Sequence, residues 1–361
     1  MPAFGKGVVS SVGPERRGLL HASVDIDGEE IDAVGFVAML GPVAPGDRVV
    51  VNTTGIELGL GTGGLGFILW DLDGVGPPGL GEGHIVKLRY TPWQTEVLAA
   101  EAQDSPHHDV LRSVDSVDGM PVVACGLHSQ VAAVAAGIKA TRPSCRVGYL
   151  MTDGAALPLA WSELAAGLKE AGLIDVTATC GHAFGGDLET VNVFSGLAAL
   201  REAGGADVCV VAMGPGIVGT GTALGFSGME QGQVLDAATA LAGTAIACLR
   251  ISFADERLRH RGVSHHTLTA LRLAAREPAG VVVPVLNPEQ GAEVYAQLRD
   301  AGITQRHRVV EADGSPGLSL LEGRGIRVTS MGRSVDEVPE LFLAASAAGA
   351  VAGATGSVAP L

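Results

Sequence analysis

The stretch ADERLRHRGVSHHT sets Arg257, Arg259 and Arg261 within five positions, beside His260, Ser264, His265 and His266. Guanidinium groups stay charged at any physiological pH. In a chain with 24 Lys+Arg against 39 Asp+Glu, net charge −15, such a cluster would focus anionic ligands on one spot. Imidazole titrates near neutrality, so His265 is a candidate general acid or base that needs little tuning, with His266 beside it as a second. Ser264 is suited to N-cap the helix that follows, with Leu268, Leu271 and Ala275 on its buried stripe. Cations at a helix N-terminus oppose its dipole, so the arginines do not serve the helix itself. The plainer reading is a solvated loop whose arginines pair with Asp255 and Glu256.

A second candidate is MGPGIVGTGTALGFSGMEQG, Met213–Gly232, with seven glycines in twenty residues after the apolar run ADVCVVA. Backbone N–H groups around Gly214, Gly216 and Gly219, with the hydroxyls of Thr220 and Thr222, could wrap an anion that Arg259 and Arg261 neutralise. The same loop contains Gly214-x-Gly216-x-x-Gly219, the form of a dinucleotide fingerprint. With 52 glycines in 361 residues, however, such a pattern is expected about once by chance, and a second copy stands at Gly61-x-Gly63-x-x-Gly66. No helix clearly opens at Gly219 and no acidic residue ends the next strand, so a nicotinamide site is set aside. The bland alternative is a crossing loop or lid without a ligand of its own.

The remaining candidates are His128 in LHSQ, Asp153 in TDGAALP, and His182 and Asp187 in GHAFGGDLE. His182 is an alternative general acid or base, and Asp187 or Asp153 would orient the histidine or hold a divalent ion. No established metal-ligand spacing is present, and adjacent histidines point differently on a helix, so a divalent metal is kept only as a minor option. His107-His108-Asp109 reads as a surface turn. No G-x-S-x-G elbow supports acyl transfer.

These residues need elements to position them. From Pro121 onward, near-continuous Val/Ile/Ala runs alternate with helical patterns: PVVACGL, RVGYLMT, DVTATCG, ADVCVVAMG, TAIACLRISF, GVVVPVL, HRVVEAD and GIRVTSM. Such strands imply a parallel sheet covered on both faces. Trp161, Leu164, Leu168 and Ala171 fall on one helical stripe. Three helices are expected to end at left-handed glycine caps, at Gly172, Gly204 and Gly302. The expected fold is α/β: a doubly wound, mostly parallel Rossmann-like sheet, with an eight-fold β/α barrel as the alternative. All the candidate residues follow strands rather than precede them. In parallel α/β folds that rim is where ligands bind.

Residues 1–90 read differently, as short strands broken by Gly, Pro and Asp: GKGVVSSV, GLLHASVDID, AVGFVAML, DRVVVNTT, GFILWDL and HIVKLRY. This spacing suggests a small β-barrel or sandwich. Residues 91–120 read as a linker with one short helix, leaving 121–361 as the ligand-binding α/β domain. The net charge argues against nucleic acid and anionic membranes as partners. Five cysteines without a C-x-x-C pair suit buried thiols in a reducing compartment. With no secretory pattern at the N-terminus and an Ala/Gly-rich final helix ending in a loose tail, the expectation is a cytoplasmic protein. The Ala/Gly-rich helices permit a homo-oligomer without requiring one.

The segments LGLGTGG, CGLHSQ, TDGAALP, TCGHAFGGDLE, MGPGIVGTGTALGFSG and RISFADERLRHRGVSHHT resemble the motifs of bacterial domain-of-unknown-function family 3866, along nearly the whole chain. That resemblance supplies no reaction, substrate or catalytic residue. The expected function therefore rests on the rim: binding of a small anionic metabolite, phosphate-bearing or nucleotide-like, with catalysis left open. The alternatives are a non-catalytic sensor or adaptor, whose N-terminal barrel contacts a protein partner, and a metal-dependent hydrolase.

Overall fold

The computed structural model describes residues 3–59, 63–79 and 82–355. The second glycine fingerprint, which begins at Gly61, and the end of the tail therefore lie partly or wholly outside the described residues. The chain forms two compact units, Met1–Leu98 and Ala99–Leu361.

In the first unit, five strands close into a barrel: Phe4–Val12, Leu19–Ile26, Glu29–Phe36, Gly66–Asp71 and Arg48–Asn52, in that order around it. All neighbours pair antiparallel except Glu29–Phe36 with Gly66–Asp71, which run parallel. Alternating side chains such as Val9, Leu20, Ala22, Val24, Val49, Val51 and Ile68 fill the interior. The run HIVKLRY does not join the barrel. Ile85–Lys87 pairs with Thr95–Val97 as a separate ribbon, and the run breaks beyond it because Leu88 and Tyr90 take positive φ.

The second unit contains an open sheet of eight parallel strands. Its order is Leu188–Glu189, Val176–Thr179, Val147–Thr152, Val208–Met213, Pro121–Ala124, Thr244–Cys248, Gly280–Pro284 and Arg308–Ala312. The two edges do not meet, so the fold is the doubly wound sheet and the eight-fold barrel is excluded. Alternate residues of each strand serve opposite faces. Val123, Tyr149 and Val210 pack under helices Val131–Thr141, Glu163–Glu170 and Pro339–Ala354. Val122, Leu150 and Val211 pack under Val193–Glu202, Glu230–Ala240 and Pro288–Asp300. This double burial explains the uninterrupted apolar strands.

Several features differ from expectation. GIRVTSM is not a sheet strand: Met331 and Gly332 take positive φ, so Thr329–Ser330 turns back at once onto Arg333–Ser334. The eighth strand is instead the two-residue edge Leu188–Glu189, parallel to Ala178 and Thr179. Gly172 and Gly302 are left-handed caps as expected, but after Val193–Glu202 that conformation falls one residue later, on Gly205. Gly204 is needed for space, since a Cβ there would meet the Leu200 carbonyl at 2.8 Å. Residues 99–117 belong to this second unit. Ala100 N–H donates to the Glu189 carbonyl (2.7 Å) and Val117 N–H to that of Leu241 (2.8 Å).

The chain leaves Ala124 across one face of the sheet toward Val147, and leaves Met213 across the other toward Thr244. Pro121–Ala124 and Val208–Met213 are hydrogen-bonded neighbours, so the strand order reverses between them and a crevice opens beyond their carboxyl ends. Two buried glutamines close its floor. Gln231 Nε2 donates to the carbonyls of Ala124 and Cys248, each at 2.8 Å, and Gln130 Nε2 to that of Leu249 at 2.8 Å. Helix Pro339–Ala354 seals one face by close contact. A Cβ on Gly137 would overlap the Ser346 carbonyl, and one on Gly349 that of Val134. None of the helices formed by the described residues is long and apolar enough to cross a membrane.

Candidate functional site at the carboxyl rim

The glycine loop and the arginine–histidine loop meet. A Cβ on Gly219 would lie 3.3–3.4 Å from His266 Cε1 and Nε2, and one on Gly221 would lie 3.8 Å from Arg259 Nη2. Phe226, at the far end of the glycine loop, stacks flat on the His266 ring, with centroids 4.0 Å apart and planes 4° from parallel. Gly219 also bridges to Phe226, drawing the loop into a narrow hairpin. Within it, the Thr220 and Thr222 hydroxyls lie 3.0 Å apart. Thr220 Oγ1 donates to the Gly225 carbonyl, while Thr222 Oγ1 accepts from Gly225 N–H, each at 3.0 Å. Both hydroxyls thus hold the loop closed.

Three imidazoles converge beside this hairpin. The ligand atoms of His260, His265 and His266 all lie within 4.8 Å of one another. Adjacent histidines were expected to diverge. They do not, because His265 and His266 begin a helix capped by Ser264 and both turn toward His260, which arrives from the 3-10 turn Leu258–His260. His260 Nδ1 lies 2.8 Å from Ser264 Oγ, which also accepts from His266 N–H at 3.3 Å. Burial and the neighbouring charges of Arg250 and Arg257 lower the His260 pKa to about 4. Burial, then His265 and Arg250, bring His266 to about 3. His265 is also lowered, by burial and then by Arg259 and Arg250. These shifts favour the neutral ring at His260 and His266 at pH 7.

Arg250 is the group that the sequence reading passed over. It is 6% exposed, and its guanidinium contacts are His266 Nδ1 at 3.5 Å and Met331 Sδ at 3.8 Å. The nearby carboxylate is taken: Asp255 accepts from Arg257 Nε at 2.9 Å and Arg257 Nη2 at 2.8 Å. Among the described residues, therefore, no carboxylate pairs with Arg250. Burial, then the charge of Arg257, lowers its pKa to about 10. The signal was present in the sequence, since an arginine inside the apolar run TAIACLRISF is costly without a counter-charge. Arg259 is exposed beside the cluster, whereas Arg261 offers its backbone carbonyl to Gln297 Nε2 at 3.1 Å.

A carboxylate group occupies the same rim on the other side of the switch point. Thr152 Oγ1 donates to Glu230 Oε1 at 2.6 Å, and Asp153 Oδ2 accepts from His182 N–H at 2.9 Å. Gly181 has φ +65°, and a Cβ there would collide with the Asp153 carboxylate, so this approach requires glycine. Burial raises the Glu230 carboxyl to about 7, with a further push from Asp153 against the opposing Thr152 hydrogen bond. Glu230 opens helix Glu230–Ala240, four residues past Phe226, and so ties this group to the histidine cluster.

Two predicted residues stand apart. Asp187 ion-pairs with Lys169 and accepts from Thr177 N–H and Oγ1, each at 2.9 Å. Burial raises its pKa, but the Lys169 and Thr177 hydrogen bonds outweigh this and leave it lowered. Because Leu188 pairs with Ala178, Asp187 lies beside Thr177, back along the strand and away from the rim. His128 is fully engaged: Nε2 lies 2.7 Å from Ser162 Oγ, and Nδ1 lies 3.1 Å from Tyr149 Oη and 3.2 Å from the Met213 carbonyl. Burial lowers it to about 4, and it acts as a neutral tie between strand ends. Gly214 packs against the Ala156 carbonyl, and Gly216 supplies a turn at φ +106°.

The sequence profile of a family described as protein of unknown function, DUF3866, matches residues 32–349. The chain belongs to that family. The match takes in part of the barrel and nearly all of the sheet unit, including both sides of the rim. No curated protein and no solved structure matches the chain.

Proposed function

We propose that the protein binds, and acts on, a small phosphate-bearing metabolite at the carboxyl rim of its parallel sheet. The observation that carries this reading is Arg250, a buried guanidinium without a carboxylate partner. Charged groups are almost never fully buried unless paired, and an anion delivered by a ligand supplies the missing partner. Arg259 adds a second guanidinium, and the Gly219–Gly221 backbone allows close approach. Glu230, titrating near neutrality, is the general acid or base, with Asp153 and His182 beside it. The net charge of −15 speaks against nucleic acid. Five free buried thiols suit a reducing compartment and support a cytoplasmic setting for this activity.

The test is thermal unfolding of the full chain against inorganic phosphate, nucleotides and sugar phosphates. A saturating ligand stabilises a folded protein by about 2.7 kcal/mol at a hundred times its Kd. Stabilisation by at least one phosphate compound, lost in Arg250→Met, is the expected result. A folded protein that no anion stabilises would refute the reading, and binding without turnover would make the protein a sensor.

A further inference from the structure

The three-imidazole cluster does more than frame an anion. We propose that His260, His265 and His266 hold a divalent first-row transition metal, zinc by preference, through three nitrogens, with a fourth position open to a ligand. Two independent observations carry this. Among the described residues these three side chains form the one group of three or more metal-ligating residues, with all ligand atoms within 4.8 Å of one another. In addition, His265 Nε2 is sealed from solvent and has no hydrogen-bond partner. A buried polar atom without a partner costs about 1–3 kcal/mol, and a metal bond removes that cost.

The surroundings fit the chemistry. Nitrogens around a tetrahedral zinc sit roughly 3.3 Å apart, from bonds of about 2.0–2.1 Å, so small side-chain rotations close the cluster. His260 Nδ1 is held 2.8 Å from Ser264 Oγ, which leaves its Nε2 as the nitrogen to face a metal; a fixed hydrogen-bond partner of this kind orients a ligating ring. Phe226 fixes the plane of His266, and Gly219 leaves room at its Nε2 edge. Three protein ligands with one open position describe a catalytic rather than a structural zinc site. Arg250 and Arg259 add positive charge beside the ion, so an anion in the open position would neutralise both and strengthen metal binding. A metal there supplies a Lewis acid for that anion.

The metal site does not rest on the anion reading, and the experiment keeps them separate. Metal-stripped full-length protein is titrated with Zn2+ alone by calorimetry and with Co2+ alone by visible absorption. Expected are a single ion per chain, the intense bands of tetrahedral cobalt, and losses in His265→Ala and His266→Ala exceeding the ~10–100-fold that an outer-shell change costs. His260 is buried, so Ser264→Ala serves as its milder counterpart. It should weaken zinc binding by about 10–100-fold with secondary structure retained. No zinc binding, octahedral cobalt, or unchanged affinity in the folded histidine variants would overturn the site. Phosphate binding without zinc binding also overturns it and leaves the anion reading intact. Zinc binding without phosphate binding supports it and removes the anion reading alone.

Discussion

Replacing Arg250 by methionine sets the folding role of a buried charge against its binding role. In the ligand-free protein burial holds the Arg250 pKa well below its ordinary value, at about 10, which points to a cost for keeping that cation in the interior. At 1.36 kcal/mol per pKa step this is about 3 kcal/mol. The sign follows from the direction. A base held below its unfolded pKa destabilises the fold fully at pH below about 10, and the penalty fades only as pH climbs from there toward the ordinary arginine value. At neutral pH the methionine variant should therefore equal or exceed the native protein, by roughly 2–4 °C of Tm for each kcal/mol recovered. With phosphate present the order reverses. A hydrogen bond to a charged group is worth about 1.5–3 kcal/mol, so phosphate affinity should fall roughly 10–150-fold. Paired melting curves with and without phosphate read both effects. A variant that loses several kcal/mol without ligand, yet keeps the phosphate shift, would show that Arg250 is a structural residue and that the reasoning about its missing partner is wrong.

The other predictions concern Glu230 and the helix contact. Burial lifts the Glu230 pKa from 4.5 to about 7, so its carboxylate should subtract stability as pH rises through that interval, by about 3 kcal/mol. Glu230→Gln keeps an oxygen for Thr152 and should flatten this slope in denaturant titrations from pH 5 to 8; an unchanged slope would contradict the assignment. Gly137→Ala should cost at least the ~1–3 kcal/mol of overpacking, because the added methyl overlaps the Ser346 carbonyl. Calorimetry that finds its Tm unmoved would mean the two helices are not in close contact.

How much of this was readable in advance depends on the range of the interaction. The parallel sheet was legible because strands buried on both faces must be continuously apolar, and the caps at Gly172 and Gly302 because they are local backbone events. GIRVTSM has the composition of a strand, and only the turn at Met331-Gly332 removes it from the sheet. Leu188–Glu189 is too short and too polar to announce itself, and missing it put Asp187 on the wrong side of its own strand. On the rim, the meeting of Gly219 with His266 followed from topology once the switch point was known. The histidine cluster was hidden because the divergence expected of neighbours on a helix does not hold at the first turn, where His265 and His266 both swing toward His260. Arg250 was hidden by its surroundings: a single charge in an apolar run looks like noise until the accounting of counter-charges is done.

The order of strands also bears on how the chain reaches this state. Pro121–Ala124 lies at the middle of the sheet, yet its two neighbours begin only at Val208 and Thr244. A chain emerging from the ribosome presents this fully buried strand before any other strand of its sheet, and its second neighbour follows only after more than a hundred further residues have been made. Such long-range closure slows folding and leaves sticky surface open meanwhile. For this protein, synthesis is the interval in which a chaperone has most to protect.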